Sequence, residues 1–151
     1  MAKRRSIMLS ILLFVFVAFV VLQFLPSEGQ TNPPITQSPA WDSPRTEQLV
    51  RAACFDCHSN ETDWPWYASI APISWRIEEH VEHGRRHLNF SEFDKPQRHA
   101  TEAAEEVEEG HMPLWDYMLL HPDSRLSDED KRALIDGLRA TFGESRRPDR
   151  D

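Results

Sequence analysis

The sequence predicts an all-α protein that begins with a single transmembrane helix. Residues 7–25 carry no charge and only two polar side chains, Ser10 and Gln23. A helix of this length rises about 28 Å, which is close to the hydrocarbon thickness of a bilayer. The rest of the chain has apolar residues at helical spacing, and none of it shows the alternation typical of a strand. We therefore expect about four helices after the apolar segment.

The charges around the apolar segment predict its orientation. Basic residues at positions 3–5 place a short tail, residues 1–6, in the cytoplasm and the bulk of the chain outside the inner membrane. A cleaved signal peptide is the alternative, but its apolar region is usually only about 7–15 residues long and ends at a small-x-small site. Here the apolar run continues to Leu25, and residues 27–29 make a poor site. We expect an uncleaved inner-membrane anchor with a periplasmic C-terminal domain.

Residues 26–42 contain four prolines and many small polar residues, which predicts an extended linker. The main domain is expected over 43–143, with a disordered tail over 144–151. Ser43 and Pro44 are typical of a helix start, and this first helix leads directly into the two cysteines.

Three further helices follow from periodicity and end signals. One covers Ile73 to His87. Another begins at Pro96 and ends before Gly110. The last begins after Ser127 and ends at Gly143. The residues expected on their inner faces are Ile73, Ile77, His80, Val81 and Gly84 in the first, Ala100, Ala103, Ala104 and Val107 in the second, and Leu134, Ile135, Leu138 and Phe142 in the third. Trp115, Met118 and Leu119 are expected to form a core stripe between the last two.

The charge is distributed unevenly along the chain. From residue 30 onward there are 14 Lys/Arg and 24 Asp/Glu, a net charge of −10 with histidine neutral. An acidic domain of this kind is a poor nucleic-acid binder. It can attract a partner with a basic surface, and solubility explains the charge equally well.

The only two cysteines lie in the string CFDCH, as Cys54 and Cys57 with His58 directly after. A thioredoxin-like pair would lie beside a βαβ pattern, which is absent. A zinc site needs four ligands, and the seven histidines leave that alternative open. The string itself has the spacing of a covalent haem attachment site. The two thiols, one helical turn apart, can add to the two vinyl groups of one porphyrin, and His58 then becomes the proximal iron ligand.

Longer strings extend this pattern: CFDCHSNETDWPWYASIAPISW, HVEHGRRHLNFSEF and EEGHMPLWDYMLLHPDSRLSDED. They resemble the haem-binding domain family of cytochrome c-like bacterial proteins. The likeness covers about residues 43–142 and leaves the anchor and linker outside. It implies a cytochrome c-like helical domain around one covalent haem c, in the periplasm or at its membrane. It carries over most firmly onto the CFDCH residues and Met112.

Met112 is the expected sixth iron ligand. It lies 54 residues after His58, in a loop that Pro113 stiffens, and a His–Met pair is common in cytochromes c. A core methionine that fills a gap is the alternative. His111 and His80 are alternative ligands, and so are Met118 and His121. An iron without a second protein ligand also remains open.

Two side-chain groups near the motif have more than one interpretation. Trp64, Trp66, Tyr67 and Trp75 can line a haem pocket or form an ordinary small core. His80, His83 and His87 share a helix face that can bind a metal or remain a polar surface. The Pro72 carbonyl is a candidate acceptor for the second N–H of His58.

These observations predict a membrane-anchored, monohaem c-type cytochrome that transfers single electrons to redox partner proteins, and an electron carrier rather than an enzyme. The first alternative is a peroxidase-like enzyme or sensor with an open iron. The second is a structural zinc module held by Cys54, Cys57 and histidines.

Overall fold

The computed structural model describes residues 2–25 and 29–144. These residues contain seven α-helices and no β-strand, only an isolated bridge between Gln37 and Glu92. The all-α prediction is therefore confirmed, whereas the predicted disordered tail lies almost entirely outside the described residues. The α-helices are α1 (Ala2–Leu22), α2 (Pro44–Ala53), α3 (Phe55–His58), α4 (Ile73–His87), α5 (Ala103–Glu108), α6 (Trp115–Leu120) and α7 (Asp128–Phe142). Short 3₁₀ turns cover Trp66–Ser69, Ala100–Glu102 and Pro122–Ser124.

The chain divides into two compact units, and the first contains residues up to 30 together with residues 64–80. In this unit α1 is long and apolar enough to cross a membrane, with Lys3–Leu22 as the candidate span. Length and composition suit either an anchor or a signal sequence. Just after the helix, the Gln23 amide exchanges two hydrogen bonds with the backbone of Ala71, at 3.1 Å and 3.0 Å.

The second unit contains residues 31–63 and residues from 81 onward. Its core is a continuous apolar cluster that lies mainly between α2, α5 and α7. The Phe90 ring packs against five rings of this unit, including the His58 imidazole, at centroid distances of 5.4–6.4 Å. The buried members of the cluster are Leu49, Val50, Phe55, Leu88, Phe90, Ala100, Ala104, Val107, Leu134, Ile135 and Leu138.

Helices α2 and α7 approach each other closely at Gly137. A Cβ at this position would lie 2.0 Å from Oγ1 of Thr46, so only glycine allows the approach. The predicted ends of both helices are confirmed. The Ser43 and Ser127 hydroxyls accept hydrogen bonds from the backbone N–H groups of Thr46 and Asp130. Gly143 ends α7 with a φ of +85°.

Part of the predicted linker is held against the second unit. The Asn60 amide donates to the Pro34 carbonyl at 3.1 Å. Backbone N–H groups of Thr36 and Gln37 both donate to the Ser91 carbonyl, at 2.9 and 3.1 Å. The indole of Trp41 packs on the core. Residues 31–42 thus behave as part of this unit, while residues 26–28 lie outside the described residues.

The predicted helix from Pro96 begins later than expected. Its α-helical part starts only at Ala103, after a 3₁₀ turn. In the segment before it, the Gln97 side chain is bonded to the preceding loop: it accepts from the Asn89 N–H and donates to the Glu92 carbonyl, both at 2.9 Å. The 3₁₀ turn lies in the segment where the start of the α-helix was expected.

Two helix faces also differ from the sequence prediction. Helix α4 has the predicted bounds, but its buried stripe is Ser74, Glu78, Val81 and Gly84, and Ile73 is half exposed. The expected core stripe of Trp115, Met118 and Leu119 is wrong, because Trp115 is 70% and Leu119 60% exposed. Tyr117 provides the inward contact of α6, and Trp115 and Leu119 lie on the opposite side. The expected number of about four helices is too low, since α3 and α6 were not predicted as helices.

Candidate cofactor site

The CFDCH segment follows α2 after a short break at Cys54, whose φ is −129°. The Cys54 N–H donates to the Val50 carbonyl at 2.8 Å, and the His58 N–H donates to the Cys54 carbonyl at 2.9 Å. The residues after the break form the single helical turn α3. Cys54, Cys57 and His58 therefore lie within one short helical segment, as their spacing predicted.

Both cysteines are free thiols. Burial raises the pKa of Cys54 to about 12 and that of Cys57 to about 11, with neighbouring acidic groups adding to the effect. The thiols are therefore protonated at neutral pH. Redox-active cysteines normally have a lowered pKa and react as thiolates, so this environment does not favour the redox pair.

The tautomer of His58 is fixed by a backbone group. Its Nδ1 lies 3.0 Å from the carbonyl oxygen of Leu88. A carbonyl oxygen can only accept, so Nδ1 carries the proton and Nε2 retains its lone pair. Burial lowers the pKa of His58, which keeps the ring neutral. The acceptor proposed from the sequence, the Pro72 carbonyl, is therefore wrong: Leu88 has this role.

Helix α4 lies directly against the cysteine segment at Gly84. A Cβ there would lie 2.4 Å from the carbonyl oxygen of Cys57, closer than real Cβ atoms come. The close approach places the C-terminal end of α4, and hence Leu88, beside His58. A glycine inside a helical pattern is the signal that could have indicated this contact.

Arg85 and two asparagines connect the residues that follow His58 with the segment that begins at Gly84. The Arg85 guanidinium donates to the Ser59 and Thr31 carbonyls, the Asn32 amide oxygen and the Thr62 hydroxyl, at 2.7–3.0 Å. The buried amide of Asn89 donates to the Asn60 side chain at 2.9 Å. The strings CHSNET and GRRHLNFSEF therefore pack against each other, which the sequence did not reveal.

Tyr117 connects α6 with the residue between the two cysteines. Its hydroxyl donates to the Asp56 carboxylate at 2.7 Å. Burial, together with this hydrogen bond, raises the pKa of Tyr117. No sequence signal pointed to this pair, because 61 residues separate its members.

Met112 lies in the loop after α5. The backbone N–H groups of His111 and Met112 both donate to the Glu106 carbonyl at 3.0 Å, and Gly110 turns the chain with a φ of +78°. Met112 is partly buried and packs against the same apolar cluster as Cys54. His111 is exposed and pairs with Glu106 and Glu109. The second ligand stays a prediction, with Met112 closer to the core than His111.

The remaining predicted residues are placed as follows. The rings of His83 and His87 are tilted against each other at a centroid distance of 4.2 Å, and those of His87 and His99 at 5.2 Å. Within the described residues, no three His, Cys, Asp or Glu side chains are grouped to hold a metal ion. This does not support the zinc alternative or a metal-binding histidine face.

His80 and the aromatic residues Trp64, Trp66, Tyr67 and Trp75 belong to the first unit. Trp66 and Tyr67 pack edge to face at 5.7 Å. Trp66 is 78% exposed, whereas the indole nitrogen of Trp64 is buried without a partner. Their assignment to a haem pocket stays a prediction.

The chain belongs to the haem-binding domain family, whose sequence profile matches residues 17–140. The match begins within α1, so the family pattern includes the linker and the end of the apolar helix, which we expected to lie outside it. No curated protein and no solved structure matches the chain. The protein is thus a haem-binding domain protein.

The residues present fit a haem. The Leu88 carbonyl leaves the Nε2 lone pair of His58 available, the two protonated thiols lie in the same segment, and a thioether packs on the shared apolar cluster. These are the donors used for haem iron and for its covalent attachment.

Proposed function

We propose that the protein is a membrane-anchored, monohaem c-type cytochrome that carries single electrons on the periplasmic side of the inner membrane. The observation that carries the proposal is the hydrogen bond from His58 Nδ1 to the Leu88 carbonyl at 3.0 Å, within an intact C-x-x-C-H segment. Family membership supports haem binding, and the motif supports covalent attachment as haem c.

Each residue of the segment has a distinct role. Cys54 and Cys57 would each add an S–H across one vinyl group, so that sulfur bonds to one carbon and hydrogen to the other. The addition needs no oxidant, but it needs free thiols, as found here. His58 would donate Nε2 to the iron, and Met112 would be the second ligand, whose thioether would raise the reduction potential.

The bound haem supplies an iron that gains and loses one electron. The protein attaches the haem, excludes water from it and sets its reduction potential. The Leu88 carbonyl acts through the imidazole, since a hydrogen bond at Nδ1 increases the donor strength of Nε2. The acidic ectodomain favours a redox partner with a basic surface.

Two observations support an anchor over a cleaved signal. The family match starts at residue 17, inside the apolar helix. Gln23, at the end of that helix, is bonded to Ala71 of the same unit. A peptide removed after export would not need either feature.

The test is an absorption spectrum of the full chain, oxidised and reduced, produced with a cytochrome c maturation system. Met112→Ala is compared with His111→Ala, its exposed neighbour. We expect haem that resists acid extraction, and a sulfur-to-iron charge-transfer band that only Met112→Ala removes. A colourless protein with stoichiometric zinc would overturn the proposal. Attached haem with an unchanged Met112→Ala spectrum would exclude Met112 and direct attention to an open, reactive iron, tested by carbon monoxide and cyanide binding.

A further inference from the structure

The first unit carries apolar side chains that are unusually exposed. Trp66 opens the turn Trp66–Ser69 with 78% of its surface accessible, and Ile73 opens α4 with 50% accessible. Both belong to one short segment, residues 66–73. Exposed large apolar residues that are close in one segment mark a contact surface more often than scattered ones do.

The same segment is bonded to the end of the candidate membrane span. Gln23 directly follows α1, and its amide accepts from the Ala71 N–H and donates to the Ala71 carbonyl, at 3.0 and 3.1 Å. From Ile7 to Leu22 the helix rises about 24 Å, which places Gln23 near the outer edge of the hydrocarbon layer. Its neighbour Phe24 is 83% exposed. Ala71 must therefore lie at nearly the same depth.

The pairing itself suits a place where water is scarce. An amide side chain and a peptide group each have a donor and an acceptor, and leaving them unpaired in an apolar medium costs free energy. Here the Gln23 side chain and the Ala71 backbone satisfy each other reciprocally. In bulk water these two hydrogen bonds would add little to the stability of the protein, because both groups could bond to water instead.

We propose that residues 66–73 form a membrane-contact segment that lies in the headgroup region of the outer leaflet, with Trp66 and Ile73 inserted. The lipid surface is the same one that α1 enters, so the proposal rests on α1 being an uncleaved anchor. Tryptophan is enriched at this depth because its ring is apolar while its N–H can hydrogen-bond. Trp66 then contacts lipid, which differs from the haem-pocket role expected from the sequence.

The consequence is a defined attachment to the membrane rather than a single flexible tether. A helix together with a lipid-bound loop fixes the depth of the first unit at the surface. Insertion at both Trp66 and Ile73 buries apolar area that the described protein leaves exposed.

The experiment uses the full-length protein in nanodiscs of phosphatidylcholine and phosphatidylglycerol, with a phospholipid that carries a photoreactive diazirine near its glycerol. Peptides are mapped by mass spectrometry after irradiation. We expect labelling of α1 and of the peptide containing residues 66–73. The peptide with residues 115–120 is the control, because Trp115 is 70% exposed and lies in the other unit.

Trp66→Ser should lose the labelling at residues 66–73 and keep it in α1, whereas Trp115→Ser should change neither. Labelled α1 with an unlabelled 66–73 peptide would overturn this inference and leave the anchor intact. Equal labelling of both exposed-tryptophan peptides would also overturn it, since the probe would then report exposure alone. Unlabelled α1 would overturn both the anchor and the lipid contact.

Discussion

At the scale of single residues, the candidate site depends on one backbone carbonyl. The Leu88 oxygen decides which nitrogen of His58 carries the proton, and therefore which one can bind iron. A side-chain acceptor could be lost by a single substitution, whereas a main-chain carbonyl is retained as long as α4 keeps its position. The tautomer is thus a property of where that helix ends.

The two thiols should react slowly in the haem-free chain. A pKa of about 11 for Cys57, against 9.0 for an unperturbed thiol, lowers the thiolate fraction at pH 8. Two units correspond to a roughly 100-fold slower alkylation. The measurement is the rate of iodoacetamide modification in native buffer and in urea, followed by mass spectrometry.

The pH dependence separates low reactivity from poor access. If the raised pKa is responsible, the native rate keeps rising up to about pH 10 instead of levelling off near pH 9. Native and unfolded rates that agree at pH 8 would contradict the prediction.

Gly84 is the residue that permits contact between α4 and the cysteine segment. In an ordinary helix position Gly→Ala stabilises by about 1 kcal/mol. At Gly84 the new Cβ meets the Cys57 carbonyl at 2.4 Å, and backbone cannot move aside as a side-chain tip can. We expect a net loss of at least about 1 kcal/mol and less attached haem.

Urea unfolding and the haem-bearing fraction by intact mass measure this effect. Arg86→Ala is the matched control on the same helix. Its ion pair with Glu82 is exposed and contributes only a few tenths of a kcal/mol. A Gly84→Ala protein as stable and as fully loaded as Arg86→Ala would show that the close contact is not required.

At the scale of elements, the second unit is organised by the approach of α2 and α7, helices from opposite ends of the domain. Gly137 lets α7 reach Thr46 without a clash. The Thr46 hydroxyl lies 3.0 Å from that of Ser43, so the start of α2 and the helix contact share one residue. Local capping and long-range packing are therefore coupled at Thr46.

This coupling is measurable by a double-mutant cycle. Gly137→Ala alone should destabilise strongly, because its Cβ would lie 2.0 Å from Thr46 Oγ1. Thr46→Ala removes the atoms at closest approach, so the double variant should lose less than the sum of the single changes. We expect a coupling of about 1 kcal/mol or more from chemical unfolding. Additive losses would mean that the two helices can move apart.

At the scale of the whole molecule, most of the predicted linker belongs to the second unit. Residues 31–42 are bonded to the second unit, so they do not act as a free tether.

If Gln23 remains bonded to Ala71 in the mature protein, then α1 has not been cleaved off. We expect the purified mature protein to have a mass that includes the apolar helix, and to stay in the membrane after alkaline and high-salt washes. The check is intact mass spectrometry together with fractionation. A mature chain beginning after Leu25 and recovered in the soluble fraction would identify α1 as a signal sequence.

The sequence by itself determined those features that depend on neighbouring residues. The bounds of α4, the serine caps of α2 and α7, the glycine end of α7 and the C-x-x-C-H segment are all local signals, and the structure has them as predicted. Periodicity and capping involve residues within a few positions of each other, so they can be read without the fold.

Only the tertiary structure decided what depends on distant pairs. Leu88 reaches His58, Gly84 reaches Cys57 and Tyr117 reaches Asp56 from 27 to 61 residues away. The long-range contact of Tyr117 likewise leaves Trp115 on the outer side of α6. Each is set by a balance of packing and hydrogen bonding between segments, for which a single sequence carries no periodic signal.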